Sequence, residues 1–390
     1  MRIFYVTNAR LPTEKAHGLA TVKLCAAFAK QGAEVIIFAP RRSNPLKIDL
    51  YEYYGVERNF RIFYLPSVDL LWLPFGKRFW FALQLFSFSK VAAFWLLIRY
   101  GFSGGLRDTV IFSHDHVPLF FASFVAPRIF YDIHNYPGRT RLFRRIIKRA
   151  IGFSVQTKWK MTALQRDFGI AAERIVYWPN GTDIERFDIS VSRQEARARL
   201  GLPQDKKIVL YSGSLQRWKG VETFVAAAQY LSDGVSLYIV GGGKAEISKF
   251  QITNSKSQIV FVGQKPWKEI PLWLRAADVL VIPNTARNEE SLRYTSPMKL
   301  FEYMAAGRPI VASDIPSIRE IADESMVFFA GPDDPKAFAA VIALALGRSE
   351  EAERRSNSAR MAVRQYTWEA RAAKILDLLA RATKPLGKVV

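Results

Sequence analysis

The sequence predicts an α/β protein built from two doubly wound parallel sheets, one in each half of the chain. Three observations lead to this prediction. The 390 residues are about twice the usual size of a domain, so two domains are expected. Short apolar runs alternate with helical patterns, as in a parallel sheet that is covered on both faces. The alternation pauses near residues 184–192 and then begins again.

The first half contains seven strand signals, most of them short apolar runs closed by turn or polar residues. Met1 leads directly into the first run, so no cleavable signal segment is expected. A helix over Leu19–Gln31 follows this run and ends at Gly32. The strands are expected at Ile3–Thr7, at Glu34–Ala39, around Ile62, Val110 and Ile129, at Ser154–Gln156 and at Ile175–Trp178.

The segment Phe79–Ile98 approaches the length of a membrane-spanning helix and has one charge, Lys90. Polar residues interrupt its centre, and a charge in the middle of a bilayer is costly. It also lies between two strand signals, where a parallel sheet requires a crossover connection. We therefore predict a crossover helix rather than a membrane span.

The second half repeats the pattern, with a helix from about Val221 to Leu231. Its strands are expected at Lys207–Ser212, Val235–Val240, Ile259–Val262, Val279–Pro283 and Pro309–Ser313. The predicted domains are residues 1–187 and 188–366, followed by a C-terminal segment, residues 367–390. Ligands of such sheets bind at the carboxyl ends of strands, so the following loops should line the site. These are the loops after Thr7, Ser113, Ile133, Ser212, Val240, Val262 and Pro283.

Charge and composition restrict the possible partners. Lys and Arg total 56 against 35 Asp and Glu, a net charge of +21 that favours anionic ligands or surfaces. The stretch from Ile133 to Gln165 contains no acidic residue, although a basic run of this kind also fits a solvated helix face. The single Cys25 excludes a disulfide framework and a cysteine-based zinc site. No motif of a nucleic-acid-binding module is present.

The run from Ser296 to Gly307 has the signals of a complete helix. Ser favours the N-cap, Pro the first helical position and Gly the end. The Met298 and Lys299 amides then lie at the positive helix end, which suits a phosphate. Glu302 lies one turn deeper, where a carboxylate could accept bonds from a ribose diol. A capped amphipathic helix with a surface glutamate explains the run equally well.

The run from Ser212 to Gly220 follows a strand and precedes a helix. Its small residues permit close backbone approach, and Arg217 and Lys219 add positive charge, as in a diphosphate-binding loop. It lacks the spacing of a Walker A loop. The glycines at 241–243 are a weaker sign, since glycine-rich strand ends are common.

These motifs resemble, in order and spacing, the retaining glycosyltransferases of the glycogen-synthase-like family four, also called glycosyl transferases group 1. The resemblance covers nearly the whole chain. It rests on Lys219-Gly220, on the run 180–183, on the run 278–284 and on the helix 296–307. It implies the GT-B fold, in which two Rossmann-like domains face each other across a cleft. It also implies that a C-terminal helix, here from Trp368 onward, crosses back onto the first domain.

The resemblance assigns roles to individual residues. Arg217 and Lys219 would meet the donor diphosphate, Glu302 would bind the donor ribose, and His134 would lie against the transferred sugar. Arg217, Lys219 and His134 are thus the predicted catalytic residues. The predicted donor-binding residues are Gly18, Gly213, Ser214, Gly263, Tyr294, Ser296, Met298, Lys299 and Glu302.

Three features bear on these roles. Tyr294 stands where the family usually has the first glutamate of its E-x7-E signature, so the identity of the donor sugar is open. Ser214 stands where an arginine often follows the glycine, and Arg217 is a candidate to replace it. The run His114-Asp115-His116 has the spacing of a metal site, but the family needs no metal, and neither a metal nor another cofactor is expected.

The resulting expectation is a retaining hexosyltransferase that uses a UDP- or GDP-sugar and a lipid-linked or other membrane-associated glycan acceptor. Basic and aromatic residues between 58 and 107, and a basic run over 139–149, predict contact with an anionic membrane. The predicted location is the cytoplasmic face of the cell membrane. The alternatives are a soluble acceptor, a nucleotide-sugar epimerase of the same fold, and a non-enzymatic protein that binds membrane or nucleic acid. The predicted membrane-contact residues are Trp72, Phe75, Arg144, Arg145, Lys148 and Arg149.

Overall fold

The structure is a computed structural model that describes residues 1–102, 104–106, 108–136, 138, 140–251 and 259–383. It divides the chain into two compact units. Unit 1 joins residues Met1–Trp178 to the C-terminal residues from Trp368 onward, and unit 2 comprises Pro179–Thr367. Each unit is a Rossmann-like doubly wound parallel sheet, which confirms the predicted fold class.

Unit 1 contains a seven-stranded parallel sheet in the order β3-β2-β1-β4-β5-β6-β7. The apolar and aromatic residues of β1 place it at the centre, where Ile3 is in register with Val35 on one side and Val110 on the other. The strands are β1 (Arg2–Val6), β2 (Glu34–Pro40), β3 (Arg61–Leu65), β4 (Thr109–Ser113), β5 (Ile129–Ile133), β6 (Ala150–Val155) and β7 (Ile175–Tyr177).

Helices cover the two faces of this sheet. The segment predicted as a crossover is one, because α3 connects β3 to β4 and buries Phe88, Ala92 and Leu96 in the core. By length and composition alone, Lys77–Gly101 is also long and apolar enough to cross a membrane. The helices are α1 (Ala16–Lys30), α2 (Leu50–Tyr54), α3 (Lys77–Leu96), α4 (His116–Ala122), α5 (Arg141–Arg149) and α6 (Lys158–Phe168).

Unit 2 contains a six-stranded parallel sheet in the order β10-β9-β8-β11-β12-β13. Side chains of its central strand alternate between two apolar cores, with Ile208 and Leu210 in one and Val209 and Tyr211 in the other. The strands are β8 (Lys207–Ser212), β9 (Val235–Val240), β10 (Ile259–Gly263), β11 (Val279–Ile282), β12 (Ile310–Ser313) and β13 (Phe328–Ala330).

The helices of unit 2 cover the two cores. One core contains residues of α7, α11 and α12, and the other contains residues of α9 and α14. The helices are α7 (Ile184–Phe187), α8 (Arg193–Leu200), α9 (Val221–Ala227), α10 (Lys244–Gln251), α11 (Ile270–Ala276), α12 (Met298–Ala306), α13 (Pro316–Arg319), α14 (Pro335–Gly347) and α15 (Ser349–Ala362).

The last helix, α16 (Trp368–Thr383), belongs to unit 1, where it packs against α1 and β6. Gly152 of β6 makes this close packing possible. A Cβ built on Gly152 would lie 2.5 Å from the Leu378 side chain, so a larger residue would push α16 away.

Several predicted boundaries differ from the structure. The first unit ends at residue 178 and not at 187, because the segment after it packs on unit 2: Phe187 is buried among α12 side chains. The strand β6 begins four residues before the predicted Ser154, and β13 was not predicted. Gly18, expected in a loop, lies in the first turn of α1.

Candidate functional site

The order of the strands shows where each sheet can hold a ligand. In unit 2 the connections reverse direction between β8 and β11, and in unit 1 between β1 and β4. Loops diverge at such a reversal and leave a crevice at the carboxyl ends of the strands. The loops after β8 and β11 therefore form the candidate site of unit 2, and those after β1 and β4 that of unit 1.

Glycines fix the loop after β8 against its neighbours. Gly220 has a φ of +65°, and a Cβ built on it would lie 1.9 Å from the Pro283 carbonyl oxygen. A Cβ on Gly241 would lie 2.0 Å from the Gly213 carbonyl oxygen. Only glycine fits both positions, so the loop is held tightly between β9 and β11. Gly241 thus has a packing role, and its amide donates to the Gly263 carbonyl at 2.8 Å.

The helix predicted from Ser296 onward is present as α12, but its cap differs. The N-cap residue is Pro297, which provides no side-chain hydrogen bond. The Ser296 hydroxyl instead accepts a bond from the Asn180 amide at 3.1 Å, and its carbonyl accepts one from the Asn180 side chain at 2.9 Å. The prediction of a serine cap was wrong because a distant residue takes its hydroxyl. The Met298 and Lys299 amides still lie in the first turn, where intrahelical acceptors are absent.

Lys219, Lys299 and Glu302 form what we call the charged cluster of unit 2, since the three influence one another electrostatically. Burial raises the pKa of the Glu302 carboxyl to about 7, against the effect of Lys299. Burial also lowers the pKa of Lys219 to about 7. In the described part of the chain no salt bridge joins any two of the three. The cluster therefore offers cations and a carboxyl to a ligand that has both an anion and hydroxyl groups.

The other predicted residues of unit 2 lie at the ends of strands and at the start of α12. Gly213 follows β8 directly, whereas Ser214 and Arg217 are exposed. Gly263 ends β10, and Met298 begins α12. Tyr294 ends a helical turn before α12, where burial raises the pKa of its phenol. Their contacts with a donor stay a prediction.

The sequence motifs do not single out Asn284 as a site residue, although it follows β11 at the reversal point. It is fully buried, and within the described residues neither polar atom of its amide has a hydrogen-bond partner. Such a group is costly to bury without a partner, so it is a candidate site residue. Its signal in the sequence is its position directly after the apolar run 279–283.

In unit 1 His134 follows β5 and is held by a buried network. Its Nε2 lies 3.0 Å from Asp132 Oδ2, while Asp132 Oδ1 accepts bonds from Ser154 and Gln156. Arg371 of α16 forms a salt bridge with Asp132 at 2.7 Å. Burial alone would raise the pKa of Asp132, but Arg371 and His134 hold that pKa well below its ordinary value. Because Asp132 is ionised, Nε2 donates to it and Nδ1 remains the acceptor.

Only two side chains of the run 114–116 approach each other, with His114 Nε2 3.5 Å from Asp115 Oδ2. The Nδ1 atom of His114 lies 2.8 Å from the Tyr5 hydroxyl, and Asp115 accepts bonds from Thr7 and the Asn8 amide. The His116 ring packs on Phe143 instead. Over the described ranges, the structure contains no group of three or more His, Cys, Asp or Glu residues that could hold a metal.

Gly18 is enclosed by other side chains of unit 1. A Cβ on it would lie 2.3 Å from Thr13 and 2.6 Å from the Tyr54 hydroxyl. This packing explains the glycine without a ligand, and its predicted contact with the donor stays a prediction.

The predicted membrane residues all lie in unit 1, and we call them, together with the exposed rings of residues 72–124, the aromatic–basic surface. Rings of α3 and α4 meet at Phe86 and Phe121, and Arg145 of α5 lies 3.6 Å above the Phe124 ring. Arg145 and Arg149 also donate to the carbonyls of Ser123 and Ala126, so both have a structural role. Arg144 and Lys148 are exposed, whereas Arg139 of the predicted run lies outside the described residues. The exposed rings of this surface are Trp72, Phe75, Phe79, Phe81, Phe86, Phe94, Phe102 and Phe124.

Comparison with protein-family models finds matches in both halves of the chain. The model "Glycosyltransferase Family 4" matches residues 19–186, and the model "Glycosyl transferases group 1" matches residues 206–348. The first match lies almost entirely in unit 1 and includes the loop after β4, whereas the second lies in unit 2 and includes the whole charged cluster.

Among curated proteins, D-inositol 3-phosphate glycosyltransferase of Xylanimonas cellulosilytica is 27% identical over 65% of this chain. Phosphatidyl-myo-inositol mannosyltransferase of Mycobacterium tuberculosis is 29% identical over 60% of it. The putative colanic acid glycosyl transferase WcaI of Escherichia coli is 30% identical over 45% of it. The matched segments span 62%, 60% and 40% of these relatives' own lengths.

Solved structures resemble the chain over nearly its full length. Sucrose-phosphate synthase of Thermosynechococcus elongatus has a TM-score of 0.77 at 22% identity, and the match covers 97% of this chain and 98% of the synthase chain. HepE of Anabaena, in complex with UDP, has a TM-score of 0.72 at 16% identity, and the match covers 98% of this chain and 100% of the HepE chain. At these identities the likeness establishes the GT-B fold.

Proposed function

The chain belongs to the glycosyltransferases of family four, and from this premise we propose that it transfers a hexose from a nucleoside-diphosphate sugar to a glycan or lipid-linked acceptor with retention of configuration. The acceptor hydroxyl forms a bond to the anomeric carbon as the bond from that carbon to the diphosphate breaks. The acceptor's proton passes to an oxygen of the departing diphosphate. No protein nucleophile is needed in this scheme.

The charged cluster is the observation on which the donor proposal rests. A nucleoside diphosphate presents an anion and a ribose diol together, and the cluster offers ammonium groups beside a carboxyl. The diphosphate would meet Lys219 and Arg217, and the diol would donate to Glu302. Cations placed where negative charge develops stabilise a leaving group, an effect worth several kcal/mol in general. HepE of Anabaena is known in complex with UDP and with UDP-glucose, which supports a donor of this class.

His134 is proposed to contact the transferred sugar. Its ring is held by Asp132, which is in turn held by Arg371, so one ring nitrogen stays available as an acceptor. A fixed acceptor of this kind suits a sugar hydroxyl. The proposal for His134 concerns unit 1 and is independent of the proposal for the charged cluster.

A membrane-associated acceptor is the proposal that the aromatic–basic surface supports. Trp72, Phe75 and Phe102 are 73%, 70% and 80% exposed, and large exposed rings are unusual on a fully solvated surface. Exposed cations of α5 continue the same surface, as expected for contact with anionic lipid. The M. tuberculosis relative is named for a phosphatidyl-myo-inositol acceptor. A peripheral location at the cytoplasmic face of the cell membrane follows from the same proposal.

One experiment tests the proposed activity. The purified protein is incubated with radiolabelled UDP-, GDP- and ADP-sugars, with and without bacterial membrane extract, and the products are separated by phase partition. Label in the lipid phase with retained anomeric configuration supports the proposal. Label in a soluble glycan would show that the acceptor is soluble and not lipid-linked. Conversion of the donor to another sugar without any acceptor would identify an epimerase.

Addition of EDTA should leave the rate of transfer unchanged, because the proposal has lysine and arginine side chains, and no metal ion, stabilise the departing diphosphate.

A further inference from the structure

The side chain of Lys299 is buried without a hydrogen-bond partner. The residue is only 7% exposed, and its ammonium nitrogen contacts no donor, acceptor or carboxylate oxygen within bonding distance among the described residues. It lies 3.9 Å from the centre of the Tyr211 ring, a cation–π contact. The sequence motif implies a role only for the backbone amide of this residue, and its side chain has no assigned role.

The Lys299 ammonium lies beside the loop that is expected to hold the diphosphate. A Cβ built on Gly213 would lie 3.4 Å from this nitrogen, so the ammonium faces the first residue after β8. Glycine packing at 213, 220 and 241 holds this loop in place. The Tyr211 hydroxyl adds a bond to the Ser214 carbonyl at 2.7 Å, and the loop therefore presents a fixed backbone to the ammonium.

The electrostatic surroundings leave Lys299 in need of an anion. Burial lowers the pKa of its ammonium well below the ordinary value, and the nearby Lys219 lowers it further, while Glu302 only partly opposes this. A buried, uncompensated charge destabilises a folded protein, and an apolar side chain of similar length would be more favourable. A lysine at this position is therefore best explained by a ligand that pairs with it.

We propose that the Lys299 ammonium binds the diphosphate of the donor. It is the second lysine of that site, beside Lys219. Arg217, which is also proposed to meet the diphosphate, is exposed on the turn before α9, whereas Lys299 is buried next to Gly213. Lys299 thus adds a buried cation to a site in which Ser214 stands where the family often has an arginine. This inference rests on the proposed donor, and it makes Lys299 a determinant of diphosphate over monophosphate binding.

The test compares nucleotide binding and stability in Lys299→Met, Lys299→Gln and the wild type. Isothermal titration with UDP, GDP, UMP and GMP measures affinity, and thermal unfolding without nucleotide measures stability. The Met variant should lose about 10- to 100-fold in affinity for whichever diphosphate binds, and clearly less for the corresponding monophosphate. Its unfolding midpoint without nucleotide should rise, because a buried amino group without a hydrogen-bond partner is removed. Lys336→Met, at an exposed lysine of the same unit, is the matched control and should change neither quantity.

The outcomes separate this inference from the proposed function. If the wild type binds neither UDP nor GDP, the proposal of a UDP- or GDP-sugar donor itself fails. If it binds a diphosphate and both Lys299 variants bind it equally well, the inference is overturned and Lys219 acts without Lys299. Equal losses for diphosphate and monophosphate, with a lower unfolding midpoint in both variants, would show that Lys299 is only structural.

Discussion

At the scale of single residues, the charged cluster contains three groups whose charged forms are all disfavoured by burial. The pKa of Glu302 is raised to about 7 and that of Lys219 is lowered to about 7. Near neutral pH the charged forms of Glu302 and Lys219 are therefore only partly populated, and a bound ligand shifts both. A diphosphate favours charged lysines, and a ribose diol favours a charged carboxylate.

Glu302→Gln tests the burial of this carboxyl. Since its folded pKa lies above the ordinary value of 4.5, the stability that its neutral form contributes is present below that pH and is lost as the pH rises to about 7. Gln does not ionise, so the unfolding midpoint of the variant relative to wild type should be higher at about pH 8 than at about pH 5. Nucleotide binding at about pH 8 should weaken by roughly 1.5–3 kcal/mol. Unchanged affinity and a constant midpoint difference would make Glu302 a helix-surface residue.

Lys219→Ala tests the assignment of the leaving-group cation. The Lys219 nitrogen lies 3.5 Å from the centre of the ring of its neighbour Trp218. Because this contact joins adjacent residues of one turn, loss of the ammonium should leave the fold intact. Transfer should fall roughly 100- to 1,000-fold, as when one donor to a developing negative charge is removed. Circular dichroism checks the fold and a labelled-donor assay the rate, with Lys336→Ala as control. Transfer within about tenfold of wild type would contradict the assignment.

At the scale of secondary-structure elements, α16 is the helix that completes unit 1. It comes from the end of the chain, yet its Arg371 is 1% exposed and pairs with Asp132 of β5. The pair fixes the carboxylate that orients His134. One helix therefore stabilises the sheet and positions a predicted catalytic side chain.

Arg371→Met should remove both effects. Loss of one partner leaves Asp132 buried without its main counter-charge, which should lower the free energy of unfolding by about 3–5 kcal/mol. The pKa of His134, now depressed by burial and by Arg371 but raised by Asp132, should rise if Asp132 stays ionised. Denaturant titration and NMR titration of the histidine measure the two changes. Arg381→Met, on an exposed position of the same helix, should change neither, and a similar loss there would contradict the proposed pairing.

At the scale of the whole molecule, the excess of 56 basic over 35 acidic residues is joined to an exposed apolar surface. Apolar rings alone would indicate residues of a protein core, and cations alone would indicate a surface that faces solvent. On α3, α4 and α5 the two kinds of side chain lie on adjacent helices. Their combination favours an interface with anionic lipid.

Liposome flotation tests this interface. The protein should float with anionic vesicles at low salt, and binding should weaken without vanishing as salt screens charges beyond about 10 Å at 0.1 M. Each aromatic ring that becomes buried in the membrane should still contribute about 1.5–3 kcal/mol of binding free energy at high salt. Arg144→Glu with Lys148→Glu should reduce flotation, since both residues are exposed. The control variant Lys336→Glu with Arg354→Glu reverses the same number of charges on exposed residues of unit 2, and it should not reduce flotation. Wild type that fails to float at low salt would favour a soluble acceptor.

The sequence by itself determined most of the fold and one part of the site. Apolar runs located the central strands, and glycine and proline located the ends of helices such as α12. These signals are short-range, since strand and helix formation depends on neighbours a few residues apart. The helix bearing Glu302 and the loop bearing Lys219 were found in this way, because strand ends of a doubly wound sheet converge.

Only the tertiary structure decided which side chains meet. Asn180 and Ser296 are 116 residues apart, and Asp132 and Arg371 are 239 apart, so no local pattern links them. The same is true of the Lys299 ammonium beside Gly213, which the motif presented only as a helical residue. A side chain's charge state depends on what long-range packing places against it and on how much water that packing removes. That is why the chemistry of Lys299 and of Arg371 had to come from the folded chain.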